Sequence, residues 1–164
     1  IDDMYADLLN LGSIFNVEDR AKNLVNDYKA ELKSFKSNLE TGEPIRAFVY
    51  DSGEDTPFTA GLYAMPTALI EAAGGVNVMN GFEKSWGTVT WEEVVAQNPE
   101  VIIIVNYGSV TAEQKRAFMM SNPAFSNIEA VKNDRFVTLE YVEATPGPRN
   151  IKAIKTLAKA FWGK

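Results

Sequence analysis

Apolar positions along this chain recur at two periods, and the switching between them predicts the fold. From Asn16 onward, Val17, Ala21, Leu24, Tyr28, Leu32, Phe35 and Leu39 fall at spacings of three and four, one face of a 3.6-residue repeat. Glu18 and Asp19 stand in the first turn of that helix and Lys29, Lys33 and Lys36 towards its end, as the helix dipole favours. Gly42 and Pro44 stop it, giving a rod about 35 Å long. Ahead of it, Met4, Leu8 and Leu11 share a helical face.

Beyond Pro44 the pattern changes. "IRAFVYD" (45 to 51) reads as a strand, followed by the loop "SGEDTPFTAG" and a short helix through Pro66, Leu69 and Ile70 that ends at Gly74-Gly75. "GVNVMNG" predicts a short second strand, and "TWEEVVAQN" a helix halted by Pro99. "VIIIVN" (101 to 106) has no polar alternation, the mark of a strand covered on both faces. Thr111 and Gln114 fit a capping box for a helix reaching about Met120. "RFVTLEYV" (135 to 142) alternates as a strand, and "TPGP" feeds a last helix with Ile151, Ile154, Leu157 and Phe161 on one face. Strand and helix alternate throughout, so the expectation is an α/β fold: a three-layer α/β/α sandwich with a mostly parallel sheet.

Ligands of such sheets bind outside the carboxyl ends of the strands. That rule selects residues 52 to 63, 81 to 88, 106 to 110 and 143 to 149, which carry Phe58, Tyr63, Phe82, Trp86, Tyr107 and Arg149. An aromatic set with one cation is the composition of a binding surface rather than of a catalytic centre.

Composition narrows the classes. With 164 residues, 46% apolar and 23% charged, the chain fits one domain with a real core and is not disordered. A net charge of −6 without a basic stripe repels phosphate backbones and anionic lipids, so no nucleic acid is expected as partner. The absence of Cys and His removes disulfides, thiolate and imidazole metal sites, cysteine nucleophiles and the commonest general base. No apolar run approaches the roughly 20 residues of a membrane span, and "IDDMYADLLNLG" lacks the layout of a signal peptide. Because the chain opens on Ile1 inside a helical pattern, the expectation is an excised domain or mature fragment whose localisation signals have been cut away.

Nucleophile-elbow, phosphate-loop and dinucleotide motifs are missing. Asp51, Glu54 and Asp55 read either as paired carboxylates for acid/base or cation work, or as a solvated turn. Trp86, beside Ser85 and Gly87, reads as a loop aromatic over the core or as a flat ligand wall. Tyr107, leaving the apolar strand into Gly108, caps the core or touches ligand; Arg149 is a surface residue or a guanidinium fork for an anionic ligand. With Thr90 as N-cap, Glu93 falls at the third helical position, where a capping box needs a carboxylate, a role on the order of 1 kcal/mol. Glu92 is left with only the helix dipole, a few tenths of about one kcal/mol.

Four segments in order, "AFVYDSGEDTPFTAGLYAMPTALIEAAGGVNV", "SWGTVTWEEVVAQNPEVIIIV", "NPAFSNIEAVKNDRFVTL" and "GPRN", resemble the C-terminal lobe of the helical-backbone substrate-binding proteins of ABC importers. Those proteins carry ferric siderophores, haem or cobalamin. The resemblance spans essentially the whole chain; its pieces are weak singly and specific as a set. It implies a Rossmann-like lobe of a two-lobed periplasmic binding protein, with residues 1–16 as the tail of the interdomain crossing region, 17–164 as the lobe, and the N-terminal lobe missing. It further implies no catalysis, no resident cofactor or metal, and an iron-siderophore or similar metal chelate as ligand. The location implied is extracytoplasmic, periplasmic or as a lipoprotein. In that family an exposed glutamate two residues after the Ser/Thr of the Val-Ser/Thr-x-Glu motif docks on permease arginines, and here that position is Glu92. Trp86, Tyr107 and Arg149 fall where the family's lobe meets ligand, with Tyr63 and Tyr141 as further candidates. Lacking His, this lobe offers no imidazole to haem iron, zinc or manganese, which favours a preformed chelate gripped by its periphery; haem held through a tyrosine stays open. The alternative from another class is an α/β enzyme or regulatory domain using Asp51 and Glu54 on a cation or nucleotide.

Overall fold

The sheet forms where the apolar runs lie. In the computed structural model, which describes residues 1–37 and 42–163, four parallel strands stand in the order β3-β1-β5-β6. They are β1 (Ile45–Tyr50), β3 (Gly75–Asn77), β5 (Val101–Asn106) and β6 (Phe136–Glu140). A separate antiparallel ribbon pairs β2 (Phe58–Ala60) with β4 (Trp86–Thr88). The helices are α1 (Asp2–Ile14), α2 (Glu18–Ser37), α3 (Met65–Ala72), α4 (Trp91–Gln97), α5 (Ala112–Ser121), α6 (Glu129–Lys132), α7 (Tyr141–Ala144) and α8 (Asn150–Trp162), with a 3₁₀ turn at Pro123–Phe125.

Strand β5 shows why the architecture has three layers. Val101, Ile103 and Val105 join Leu69 and Ile70 of α3 and Ile151, Ile154 and Leu157 of α8 in one core. Ile102 and Ile104 point the other way, onto Val94 of α4, Met119 of α5 and Val131 of α6. Each fully buried isoleucine contributes on the order of 2 kcal/mol, so a strand covered on both faces anchors both layers. Tyr28, Leu32 and Phe35 of α2 lie half-buried on the first core.

Several boundaries differ from the pattern-based expectation. Helix α2 begins at Glu18 because Asn16 adopts a left-handed conformation (φ 54°), and Leu39 lies outside the described residues. In α1, Met4 is buried and Leu8 packs against the same cluster, as expected, whereas Leu11 is exposed and Tyr5 is buried in its place. Strand β3 stops at Asn77, whose buried amide donates to Ala60 O (2.9 Å) and Thr67 Oγ1 (2.8 Å). Strand β6 stops at Glu140, and Tyr141 starts α7 instead of ending the strand. Trp86 is in a strand, not a loop: its backbone pairs with Ala60.

Candidate ligand-binding edge and docking surface

Three strands end side by side and each hands over a polar or aromatic residue. Beyond β1 stands Asp51, beyond β5 Tyr107 and beyond β6 Tyr141. Asn106 squares off this edge, its amide nitrogen donating to Glu140 Oε1 (3.1 Å) while its oxygen accepts the Ala112 N–H (3.2 Å) at the start of α5. Gly108, at φ 72°, turns the chain sharply after Tyr107, a conformation a side chain would strain.

The Tyr107 hydroxyl donates to Asp51 Oδ2 at 2.5 Å, and Ser52 Oγ donates to the same oxygen at 3.1 Å. Asp51 is 5% exposed. It shares its surroundings with Lys115 of α5, which is 3% exposed and whose ammonium donates to Val105 O (2.7 Å) and to Asp51 O. That ammonium lies 4.8 Å from the centre of the Tyr107 ring, within cation–π range. Burial pulls Lys115 below the ordinary ammonium value, and the Asp51 charge opposes the pull. Burial raises Tyr107 above the ordinary phenol value and its hydrogen bond to Asp51 adds to this, partly offset by Ser52. Tyr107 therefore presents a neutral phenol at neutral pH, its outer face 40% exposed and its ring 5.5 Å from that of Tyr141.

On the other side of Asp51, Phe58 pairs with Ser52 and stacks on Trp86, ring centres 6.0 Å apart at 10°. Tyr141 with Tyr107 and Phe58 with Trp86 thus make an aromatic row of two pairs, the first beyond β6 and β5 and the second on the ribbon. Trp86 is half-buried and packs against the core, as the first of its two readings has it. Phe82 instead covers Gly87, where a Cβ would stand 2.5 Å from its ring.

Two candidates lie apart from the row. Tyr63 lines a cleft of about 330 Å³ with Asp3 and Asp7 of α1 and Pro146. Arg149 is the exposed N-cap residue of α8, and its side chain makes no hydrogen bond or ion pair among the described residues; its charge acts on Glu143. Asn150, the first residue of α8, ties down the turn that enters the helix, accepting the Gly147 N–H (2.8 Å) and donating to Glu143 O (3.0 Å).

The acidic loop does not form a carboxylate pair. Asp51 is neither a solvated turn residue nor free for a cation, because its oxygen is taken by Tyr107 and Ser52, while the side chains of Glu54 and Asp55 are exposed. Among the described residues no three acidic side chains converge as a metal site. Lys115 was absent from the sequence reading. Its only signal is that Ala112, Lys115 and Met119 share one helical face, which puts a lysine where an apolar residue belongs.

The start of α4 sits at the same end of the sheet. Trp91 fixes it, with Nε1 donating to Glu54 O (2.5 Å) and its ring 5.3 Å from Tyr50 and 4.6 Å from Phe125. Thr90 Oγ1 accepts the Glu93 N–H (3.2 Å), and Glu93 Oε2 accepts the Thr90 N–H (2.7 Å), a reciprocal capping box. Glu92 is exposed and has no partner among the described residues.

A parallel α/β sheet with aromatic side chains beyond its strand ends has the layout in which such folds bind ligands. The chain belongs to the periplasmic binding protein family, whose model matches residues 1–142. It is 24% identical over 131 residues to the vitamin B12-binding protein of Vibrio cholerae, covering 79% of this chain and 45% of that protein. It is also 24% identical over 164 residues to an ABC transporter substrate-binding lipoprotein, YvrC, of Bacillus subtilis, covering 98% of this chain and 50% of that one. A periplasmic binding protein of Veillonella parvula has the same fold at a TM-score of 0.92 with 35% identity, over 99% of this chain and 57% of that one. These relatives are binding proteins, not enzymes. The chain spans about half the length of the curated relatives it matches.

Proposed function

We propose that this chain is the C-terminal lobe of an extracytoplasmic two-lobed solute-binding protein, which captures a ferric siderophore or related metal chelate and delivers it to an ABC permease. In this reading residues 1–16 are the tail of the interdomain crossing region, residues 17–164 form the lobe, and an N-terminal lobe supplies the other half of the cleft. The observation that carries it is the aromatic row of Trp86, Phe58, Tyr107 and Tyr141 across the strand ends. Flat π surfaces at the carboxyl edge of a parallel sheet suit a broad, partly apolar ligand.

The relatives support the ligand class: one is named for vitamin B12, and proteins of this fold are named for Fe3+-hydroxamate transport and for haem. The chelate is cargo and no resident cofactor is invoked. The Tyr107 hydroxyl is engaged as a hydrogen-bond donor to Asp51, and the chain holds no His, so in this reading the row grips a chelate by its periphery. Arg149 and Tyr63, which lie apart from the row, are further ligand contacts in this reading, Arg149 supplying a cation for an anionic ligand. Glu92, a carboxylate with no internal task at the same end of the lobe, meets permease arginines.

The test is an equilibrium titration of the two-lobed protein, followed by quenching of tryptophan fluorescence, with a ferric trihydroxamate, cyanocobalamin and haemin. Saturable binding of at least one, weakened in Tyr107→Ala and Trp86→Ala, is expected. Absence of binding by all three, or binding indifferent to both substitutions, contradicts the reading.

A further inference from the structure

The sheet changes direction between β1 and β5. From β1 the chain crosses to β3 on one side, and later strands continue on the other, so the carboxyl ends of β1 and β5 flank the topological switch point. In open α/β sheets the ligand enters the crevice there. In this lobe the crevice is already filled. The last rung of the β1–β5 ladder joins Tyr50 to Ile104, and the next two carbonyls, of Asp51 and Val105, both accept from the Lys115 ammonium. The ammonium stands in for a missing rung, holding together two strands whose own pairing has ended. Tyr107 closes the crevice from above, its ring over the ammonium and its hydroxyl on the Asp51 carboxylate.

We propose that Lys115 is the positioning residue of the ligand wall: it plugs the β1–β5 crevice and, with Asp51, fixes the Tyr107 ring flat across it, so that ligand lies on the edge rather than between the strands. This rests on the reading of Tyr107 as a ligand-contacting residue. It deepens that reading by assigning a ligand shape, a broad chelate over a closed floor, and it gives a buried lysine that touches no ligand a part in affinity. A lysine suits the position because one ammonium offers three donors, enough for both carbonyls, and its charge balances Asp51.

The test uses the two-lobed protein with ring-labelled tyrosine, Tyr107 being assigned from the signal that Tyr107→Phe removes. In the ligand-free protein the Tyr107 ring signal is expected at a shifted position of its own, and in Lys115→Met it should collapse towards that of a free tyrosine. Titration with the ferric trihydroxamate, cyanocobalamin and haemin should give a dissociation constant about ten-fold weaker in Lys115→Met for whichever chelate the wild type binds, the loss of one charge-assisted restraint. An unmoved Tyr107 signal in Lys115→Met overturns the proposal, with or without a change in affinity; a moved signal with unchanged affinity overturns it too. Should Lys115→Met not fold, Tyr107→Phe reads the latch from its other end, leaving the lysine on the Asp51 and Val105 carbonyls. It should weaken chelate binding about three-fold or more, and undiminished affinity there overturns the proposal. Should no chelate bind the wild type, the functional reading fails, while the Tyr107 signal still decides whether Lys115 sets the ring.

Discussion

Two acidic sites at the same end of the sheet are handled in opposite ways. At the β1–β5 edge, Asp51 is buried and its oxygen is engaged by Tyr107 and Ser52, with Lys115 beside it. At the start of α4, one glutamate of an adjacent pair closes the helix cap and the other stands in solvent without a partner. A carboxylate whose bonds are all internal sets shape. One with none, on a rigid and well-capped turn, is free to meet another molecule. Burial and partner lists separate the two roles, where acidity and neighbourhood in sequence do not.

The comparison breaks first at Lys115. Replacing it with Met leaves two strand-end carbonyls without a donor and removes the cation beside Asp51, and chemical denaturation should register a loss of about 3 kcal/mol. A loss near zero would mean that the edge does not depend on its internal pairing. At α4, Thr90→Ala or Glu93→Ala removes one half of the capping box and should cost about 1 kcal/mol in the same assay, with chelate affinity unchanged.

A third carboxylate sharpens the contrast through pH. Glu143 is buried, which alone would raise its pKa, but the Lys152 ammonium, the Glu140 N–H and the Arg149 charge together hold it below the ordinary carboxylate value of 4.5. The folded protein therefore binds that proton less tightly than the unfolded chain. The stability it confers is complete above the ordinary value and is lost as pH falls through the folded one. Urea midpoints measured on acidification should fall less steeply in Glu143→Gln than in wild type; parallel curves would remove Glu143 from the internally paired class. Smallest of all should be Glu92→Ala, whose stability should lie within about 0.5 kcal/mol of wild type.

How much of this was readable in the sequence differs by region. The apolar run at 101 to 106 and the stripe of Ile151, Ile154, Leu157 and Phe161 declare their elements because burial on two faces or one leaves a periodic trace. The capping box at Thr90 and Glu93 is readable because it is local, with both partners within one turn. The β2–β4 ribbon is not, since its strands are three residues each, too short to show a period, and are held by pairing between distant segments. Asp51 misled, and Lys115 escaped notice, for the same reason. Their partnership joins positions far apart in the chain, and each side chain alone reads as a solvated charge. The strand-end rule selects Tyr107 and Trp86 as candidates, whereas it says nothing of the lysine beneath Tyr107.

The account stands or falls on the division of labour within the Glu92–Glu93 pair. It is tested most directly by ATP hydrolysis of the reconstituted importer at saturating chelate-loaded binding protein, compared between wild type and Glu92→Ala. The rate of ligand-stimulated hydrolysis should fall about ten-fold or more in Glu92→Ala, as loss of a desolvated charge pair at an interface would cause, while the chelate remains fully bound. A rate equal to that of the wild type would contradict the assignment of the free carboxylate to the permease.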